Sequence, residues 1–391
     1  MSIKNYFFSF LLIYFCFHIF GFILSFALEP FVYWSADTIF NIKYTFESNG
    51  YGSGDSTYAY LEMFWRFCFS LVLAIPLAIL TKKYKLANTP GLTYSFLLLL
   101  RLYLAFFMLI YGIGKILPMQ FPPLSLSRLA QPYGESSPMG LAWTFLQYSP
   151  AYAAFSGFAE AIGALLLLNR KTVTLGAIIL TGVISNIVMM NFCYDIPVKI
   201  SSFHMLLASL ILLYSDRKRL YNFFLTNKTA EPKKDIYSFK NKKDEKVLNA
   251  VKMSLKGILA LGIIAFFGVI YLSNSSSETP KLYGVYETTI PNQSKFSKFI
   301  FEKGNWGSII YADKKEIFFD LELDTLKKTI SLKSTDTKKP ATEKFTFTQQ
   351  PNGLVLQTEN GETIHLNKKS REDFLLINRG FHWINETPFN R

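Results

Sequence analysis

Apolar positions run in long unbroken blocks up to about residue 272 and alternate with polar ones beyond it. The blocks are 6–28, 64–81, 94–113, 151–168, 173–190, 200–214 and 255–272. A helix needs about 20 residues to cross a bilayer's hydrocarbon, so the pattern predicts seven transmembrane helices. The sixth reaches that length only if Val198, Lys199 and Ser215 extend it into the headgroups. The first is too long for a cleaved leader, and no small-x-small site precedes Glu29-Pro30, so it reads as a retained anchor.

In the C-terminal part the period drops to two. Ile317, Phe319, Leu321 and Leu323 alternate with Glu316, Asp320 and Glu322, and shorter runs repeat the pattern through Ile364 and Leu366. Asn360-Gly361 between two such runs predicts a tight hairpin. About eight strands between Leu282 and Ile377, with no helix among them, predict an antiparallel meander closed into a small barrel or curved into half of one. A barrel of that size is filled by side chains or holds one apolar ligand. The aromatic tail 378–385 is expected to dock on it, because free Phe381 and Trp383 would form an apolar patch.

The predicted fold class is therefore an α-helical polytopic membrane protein with a C-terminal all-β antiparallel, barrel-like domain. Its parts are two leading helices with an external loop (1–91), a four-helix core (92–215), a basic linker (216–254), a seventh helix (255–273) and an external β-domain (280–391). The loop between the third and fourth helices carries Pro118, Pro122, Pro123, Pro132 and Pro138 and is expected to run irregularly over the bundle. Trp143, Phe145, Tyr148 and Tyr152 at its end suit the membrane–water boundary, or a lid over an outward-facing site.

Composition agrees: half the residues are apolar, and 38 Phe and 22 Tyr are too many for an ordinary soluble enzyme. A net charge of +13 would point to nucleic acid in a soluble protein, but here the basic residues collect beside helix ends. Lys82, Lys83 and Lys85, then Arg170 and Lys171, then Arg217–Arg219 and the lysines after them place three loops in the cytoplasm. The N-terminus is then inside and the β-domain outside, with no motif for nucleic acid. The basic linker lies against the anionic leaflet, the lipid bilayer being its partner. Cys16, Cys68 and Cys193 stand alone, which argues against thiol–disulfide relay chemistry. His365 and His382 lack the neighbours of a metal site.

Candidate chemistry lies within the helices. Glu160 is the one charge in 151–168, and burying it costs roughly 2.5–3.5 kcal/mol without a partner or wet cavity. Counting from the assigned cytoplasmic ends puts Arg101 at similar depth, so a structural Arg101–Glu160 ion pair is expected. A second polar group collects near the outer face. It contains Tyr111, Gly112, Gly114 and Lys115, then Asn186 and Asn191, then Asp195, Lys199 and His204. Asn186 and His204 are expected to hydrogen-bond, Lys115 to meet Asp195, and the whole to form a pocket for a quinone headgroup or small anion. His18 and His204 are the minimum for bis-histidine haem, a weak basis without evidence that their helices touch.

Tyr111-Gly112-Ile113-Gly114-Lys115, Gly157-Phe158-Ala159-Glu160-Ala161-Ile162-Gly163 with Asn169-Arg170, Leu175-Gly176-Ala177, and 191–199 together resemble the DoxX family of four-helix membrane proteins. The resemblance covers roughly residues 92–215 and includes Lys115 and Glu160. It implies a bacterial inner-membrane protein with a DoxX-like core. Some members are associated with quinone-linked sulfur oxidation, others with redox balance. The two leading helices, the seventh helix and the β-domain depart from the small members. Two functional expectations follow: a redox-associated, quinone-interacting component with a partner enzyme, or a non-catalytic scaffold whose β-domain holds a partner or apolar ligand.

Overall fold

The computed structural model describes residues 2–42, 54–83, 90–229, 242–274, 279–289, 294–335 and 342–389. Its helices are α1 (Ile3–Ile19), α2 (Gly21–Thr38), α3 (Thr57–Lys83), α4 (Pro90–Ile116), α5 (Leu126–Ala130), α6 (Pro138–Tyr148), α7 (Pro150–Leu168), α8 (Val173–Cys193), α9 (Lys199–Ser215), α10 (Arg217–Phe224), α11 (Lys242–Asn274) and α12 (Leu375–Asn378). The chain forms two compact units, Met1–Pro122 with Pro138–Phe266, and Pro123–Ser137 with Phe267–Arg391.

In the first unit, α3, α4, α7 and α8 are long and apolar enough to cross a membrane; α1, α9 and the Ala260–Ile270 part of α11 are apolar but shorter. α4, α7, α8 and α9 pack in a ring, each against the next and α9 back against α4. α1 lies on α3 and touches α4.

Several helix boundaries differ from expectation. The first apolar block is two helices, broken at Phe20-Gly21. The Arg66 guanidinium packs so close to Gly21 that a Cβ there would lie 2.3 Å from Nη2, so the chain turns where a bulky arginine needs room. α2 then continues through Glu29-Pro30 into what reads as external loop. The proline-rich loop after α4 is not irregular: it holds α5, a 3-10 turn at Tyr133–Glu135, and α6. Pro138 and Pro150 are the first residues of α6 and α7, where a missing N–H costs nothing, so these prolines start helices. α11 begins at Lys242 and absorbs part of the linker. Glu231-Pro232 and most of the Ser-rich spacer after Ser273 lie outside the described residues.

The second unit is a closed eight-stranded antiparallel barrel in meander order: β1 (Gly284–Thr288), β2 (Phe296–Phe301), β3 (Trp306–Tyr311), β4 (Glu316–Asp324), β5 (Thr329–Ser334), β6 (Thr342–Gln350), β7 (Gly353–Thr358) and β8 (Thr363–Lys369). β1 pairs with β8 to close it. Gly361, at φ +83°, makes the β7–β8 turn. Inward side chains from all eight strands fill the interior, with Phe296, Phe299 and Phe345 in mutual ring contact at 5.1–5.7 Å. Phe296 and Phe299 are an odd number of residues apart yet share that core, because a register shift between Phe296 and Lys298 turns the strand over. Tyr286 is buried there, and burial pushes its hydroxyl up to about 12.

Outside the barrel wall, Leu126 and Ala130 of α5 pack on Val285 and Ile300. Beside them the buried Glu302 carboxylate accepts from Ser127 N–H (2.9 Å), and the Ser127 and Ser308 hydroxyls are 3.3 Å apart. Burial raises the Glu302 carboxyl above its ordinary value, against the hydrogen bonds that favour its charge. The segment Pro123–Ser137, expected to belong to the helical part, is thus a component of the β-unit.

Two expectations fail after β8. The strands are followed by a 3-10 turn, Arg371–Asp373, started by a reciprocal Ser370–Asp373 capping box, and by the single turn α12. The tail does not dock: Phe381, Trp383 and Ile384 are 78%, 91% and 77% exposed, and Phe381 and Trp383 contact each other instead.

Candidate functional site

Glycines bring α4 and α7 together. A Cβ on Gly112 would lie 2.7 Å from the Gly157 carbonyl oxygen, and one on Gly157 would lie 2.5 Å from that of Gly112. Only glycine permits such backbone contact. About one turn further along each helix, Lys115 meets the fully buried Glu160 and donates to its Oε1. Glu160 Oε2 has no hydrogen-bond partner among the described residues.

The expected Arg101–Glu160 pair is therefore wrong. The Gly112–Gly157 crossing sets the register of the antiparallel helices, and Arg101, eleven residues from Gly112, falls opposite Leu168, eleven from Gly157. There its Nε and Nη2 both donate to the Leu167 carbonyl, at 2.9 and 2.7 Å. That carbonyl is one of the four at the α7 C-terminus with no partner inside the helix, where a cation also complements the helix dipole.

A second polar cluster joins α1, α4 and α9. His18 and His204 stack face to face, with ring centroids 4.0 Å apart and 11° between planes. His204 Nδ1 lies 2.7 Å from the Ile200 carbonyl, which can only accept, so Nδ1 carries the hydrogen. In the neutral ring Nε2 is then an acceptor, and the Tyr14 hydroxyl donates to it over 2.6 Å. His18 Nε2 is 3.0 Å from the Tyr103 hydroxyl. Helices α1 and α9 do meet, but not as haem ligands. A bis-histidine iron needs two Nε2 atoms aimed at one point, and here each is turned to a different tyrosine.

The remaining expected residues disperse. Asn186 is exposed on α8 and does not reach His204. Asp195 pairs with Lys199 (2.8 Å) rather than Lys115. Lys199 and Ile200 N–H donate to the two Asp55 carboxylate oxygens at 2.8 and 2.9 Å, which caps α9. Asn191 donates to Ser202 (2.9 Å). These are helix-end contacts at the α8–α9 corner.

The sequence reading missed Tyr14, Tyr103, Asp55 and the pair Glu62–Arg66, where Arg66 lies 2.8 Å from Glu62 and Ser25 donates to the same oxygen. The i, i+4 spacing of Glu62 and Arg66 was a readable signal. Tyr14 and Tyr103 look like two aromatics among many, and nothing in the chain ties Asp55 to a helix 144 residues away. Among the described residues, no three His, Cys, Asp or Glu side chains gather as metal ligands would.

No family model matches the chain, and no solved structure matches it. It is 39% identical over 124 residues to the uncharacterized protein YwoB of Bacillus subtilis (strain 168), a stretch covering 32% of this chain and 79% of that protein.

Proposed function

From the premise that over this stretch the chain belongs to the same family as YwoB, we propose a redox-associated inner-membrane protein that holds an isoprenoid quinone headgroup beside the Tyr14–His204 and His18–Tyr103 pairs. The observation that carries this reading is the Tyr14–His204–Ile200 chain of hydrogen bonds. It leaves a phenol donating to an imidazole base within largely apolar helices, the proton-handling groups that quinone reduction and quinol oxidation require. His204 and Tyr103 are buried and His18 and Tyr14 half-buried, a costly placement where packing alone is needed. The Lys115–Glu160 pair is structural in this reading: it locks α4 to α7. Counting the three shorter apolar helices with the four long ones gives seven spans, with the N-terminus cytoplasmic and the barrel periplasmic. A partner enzyme supplies the electrons.

The test is to extract the full chain in mild detergent and quantify bound quinone by mass spectrometry. Quinone near one per chain, reduced at least severalfold in Tyr14→Phe and His204→Phe, is the expected result. Quinone content no different from that of an unrelated membrane protein of similar size sinks the proposal. One observation favours a non-catalytic scaffold instead: the exposed Phe381, Trp383 and Ile384 at the end of the β-unit. A photocrosslinker replacing Trp383 that captures one defined periplasmic protein supports that second reading.

A further inference from the structure

α10 follows α9 with one residue between them, and its two sides differ in chemistry. At 100° per residue, Leu220, Tyr221, Phe223 and Phe224 fall on one side, with Arg217 among them at its start, and Lys218, Arg219 and Asn222 on the other. Tyr221, Phe223, Phe224 and the following Leu225 are 56%, 61%, 61% and 73% exposed. Asp216 fixes the start of the helix: its buried carboxylate accepts from the Thr174 hydroxyl of α8 and from Arg219 Nη1 (3.0 Å). Arg217 turns back over the Tyr214 ring, 4.2 Å from its centroid, and donates to the Tyr214 carbonyl (3.1 Å). Lys218 is exposed. Three basic residues against one acid leave a local charge of +2.

We infer that α10 is an interfacial anchor, its apolar side sunk among the acyl chains at the end of α9 and its basic residues on the phosphates of anionic phospholipid. Two observations select this occupant. α10 is continuous with an apolar helix of the bundle, so lipid is its nearest neighbour. Its charge is opposite to that of an anionic leaflet, and basic residues flanking an exposed aromatic face are the signature of a helix lying in that plane. The Asp216–Thr174 bond holds the helix at a fixed turn from the bundle, so it reaches the surface pre-oriented. The inference stands independently of quinone binding.

The experiment uses the full chain in lipid nanodiscs, with Cys16, Cys68 and Cys193 replaced by serine and a nitroxide on Phe223→Cys. A second label on Phe158→Cys, exposed on α7, marks full immersion. Nanodiscs are made of phosphatidylcholine alone or mixed with phosphatidylglycerol. In the mixed discs the Phe223 label is expected to meet dissolved oxygen more often than a water-soluble nickel complex. Lys218 makes no ion pair among the described residues, and Lys218→Glu should cut the ratio of immersed to exposed label by about fivefold or more, the factor for one basic residue at an anionic surface. Equal immersion in both lipid mixtures overturns the role of anionic lipid. Water exposure in both, with the Phe158 label still immersed, overturns the anchor.

Discussion

Removing either partner of the Lys115–Glu160 pair leaves the other charge buried without a counter-ion, a loss of about 3–5 kcal/mol. Lys115→Met and Glu160→Gln should each lower thermal stability in detergent, and the double variant should recover much of the loss. Arg101→Met removes two charge-assisted hydrogen bonds to the α7 terminus, about 1.5–3 kcal/mol each, and its effect should add to that of Glu160→Gln without coupling. Strong coupling between positions 101 and 160 would contradict the register described above. In the barrel unit, Glu302 gives a pH-dependent effect. Burial raises its folded value above the ordinary 4.5. The stability tied to its neutral form is therefore complete below that ordinary value and is lost as pH rises through the folded value. Glu302→Gln keeps an acceptor for Ser127 without the charge. In a pH series of melting curves for the β-unit transition, the variant should match wild type in acid and exceed it increasingly towards neutrality. At this scale the sequence marked Glu160 and Lys115 as polar groups in apolar helices, but it could not choose their partners. Partner choice depends on register, and register came from two glycines 45 residues apart.

Elements were more legible than partners. The long helices announced themselves by unbroken hydrophobicity, and the barrel by period two, because both patterns are local. The break at Phe20-Gly21 was not local: it depends on Arg66, from another helix, packing against Gly21. The short helix α5 was hidden for a similar reason, since its five residues are stabilised by the barrel wall and not by their own pattern. Two outcomes follow at this scale. Gly157→Val forces a side chain into the Gly112 carbonyl and should separate α4 from α7. The resulting loss, of about 1–3 kcal/mol or more, is read as a lower melting temperature and reduced protection of both helices from hydrogen exchange. An excised fragment spanning 279–391 should give a β-type circular dichroism spectrum, since all eight strands contribute to its core. Without α5 over Val285 and Ile300 it should be less stable than the same fragment supplied with the 123–137 peptide. A helical or disordered spectrum would refute an autonomous barrel.

For the molecule as a whole, the proposed seven-span topology sets Asn241 and Ser277 on opposite sides of the membrane. Reporter fusions at the two positions should report opposite compartments, and agreement between them would show that α11 does not span. The sequence by itself determined what depends on neighbours along the chain. Hydrophobic runs marked the helices, alternation and Asn360-Gly361 marked the strands and their last hairpin, and the change of period marked where helical chain gives way to β. Only the tertiary structure decided what depends on distant residues: the Lys115–Glu160 pairing, the His18–His204 stack with its two tyrosines, the capping of α9 by Asp55, and the membership of Pro123–Ser137 in the β-unit. The physical reason is range. Secondary structure follows from side-chain patterning within a few residues, whereas a buried polar group takes its partner from whichever element close packing brings against it. In this chain that packing is set by glycine contacts and by the half-buried Arg66 against Gly21, small features that carry no periodic signal.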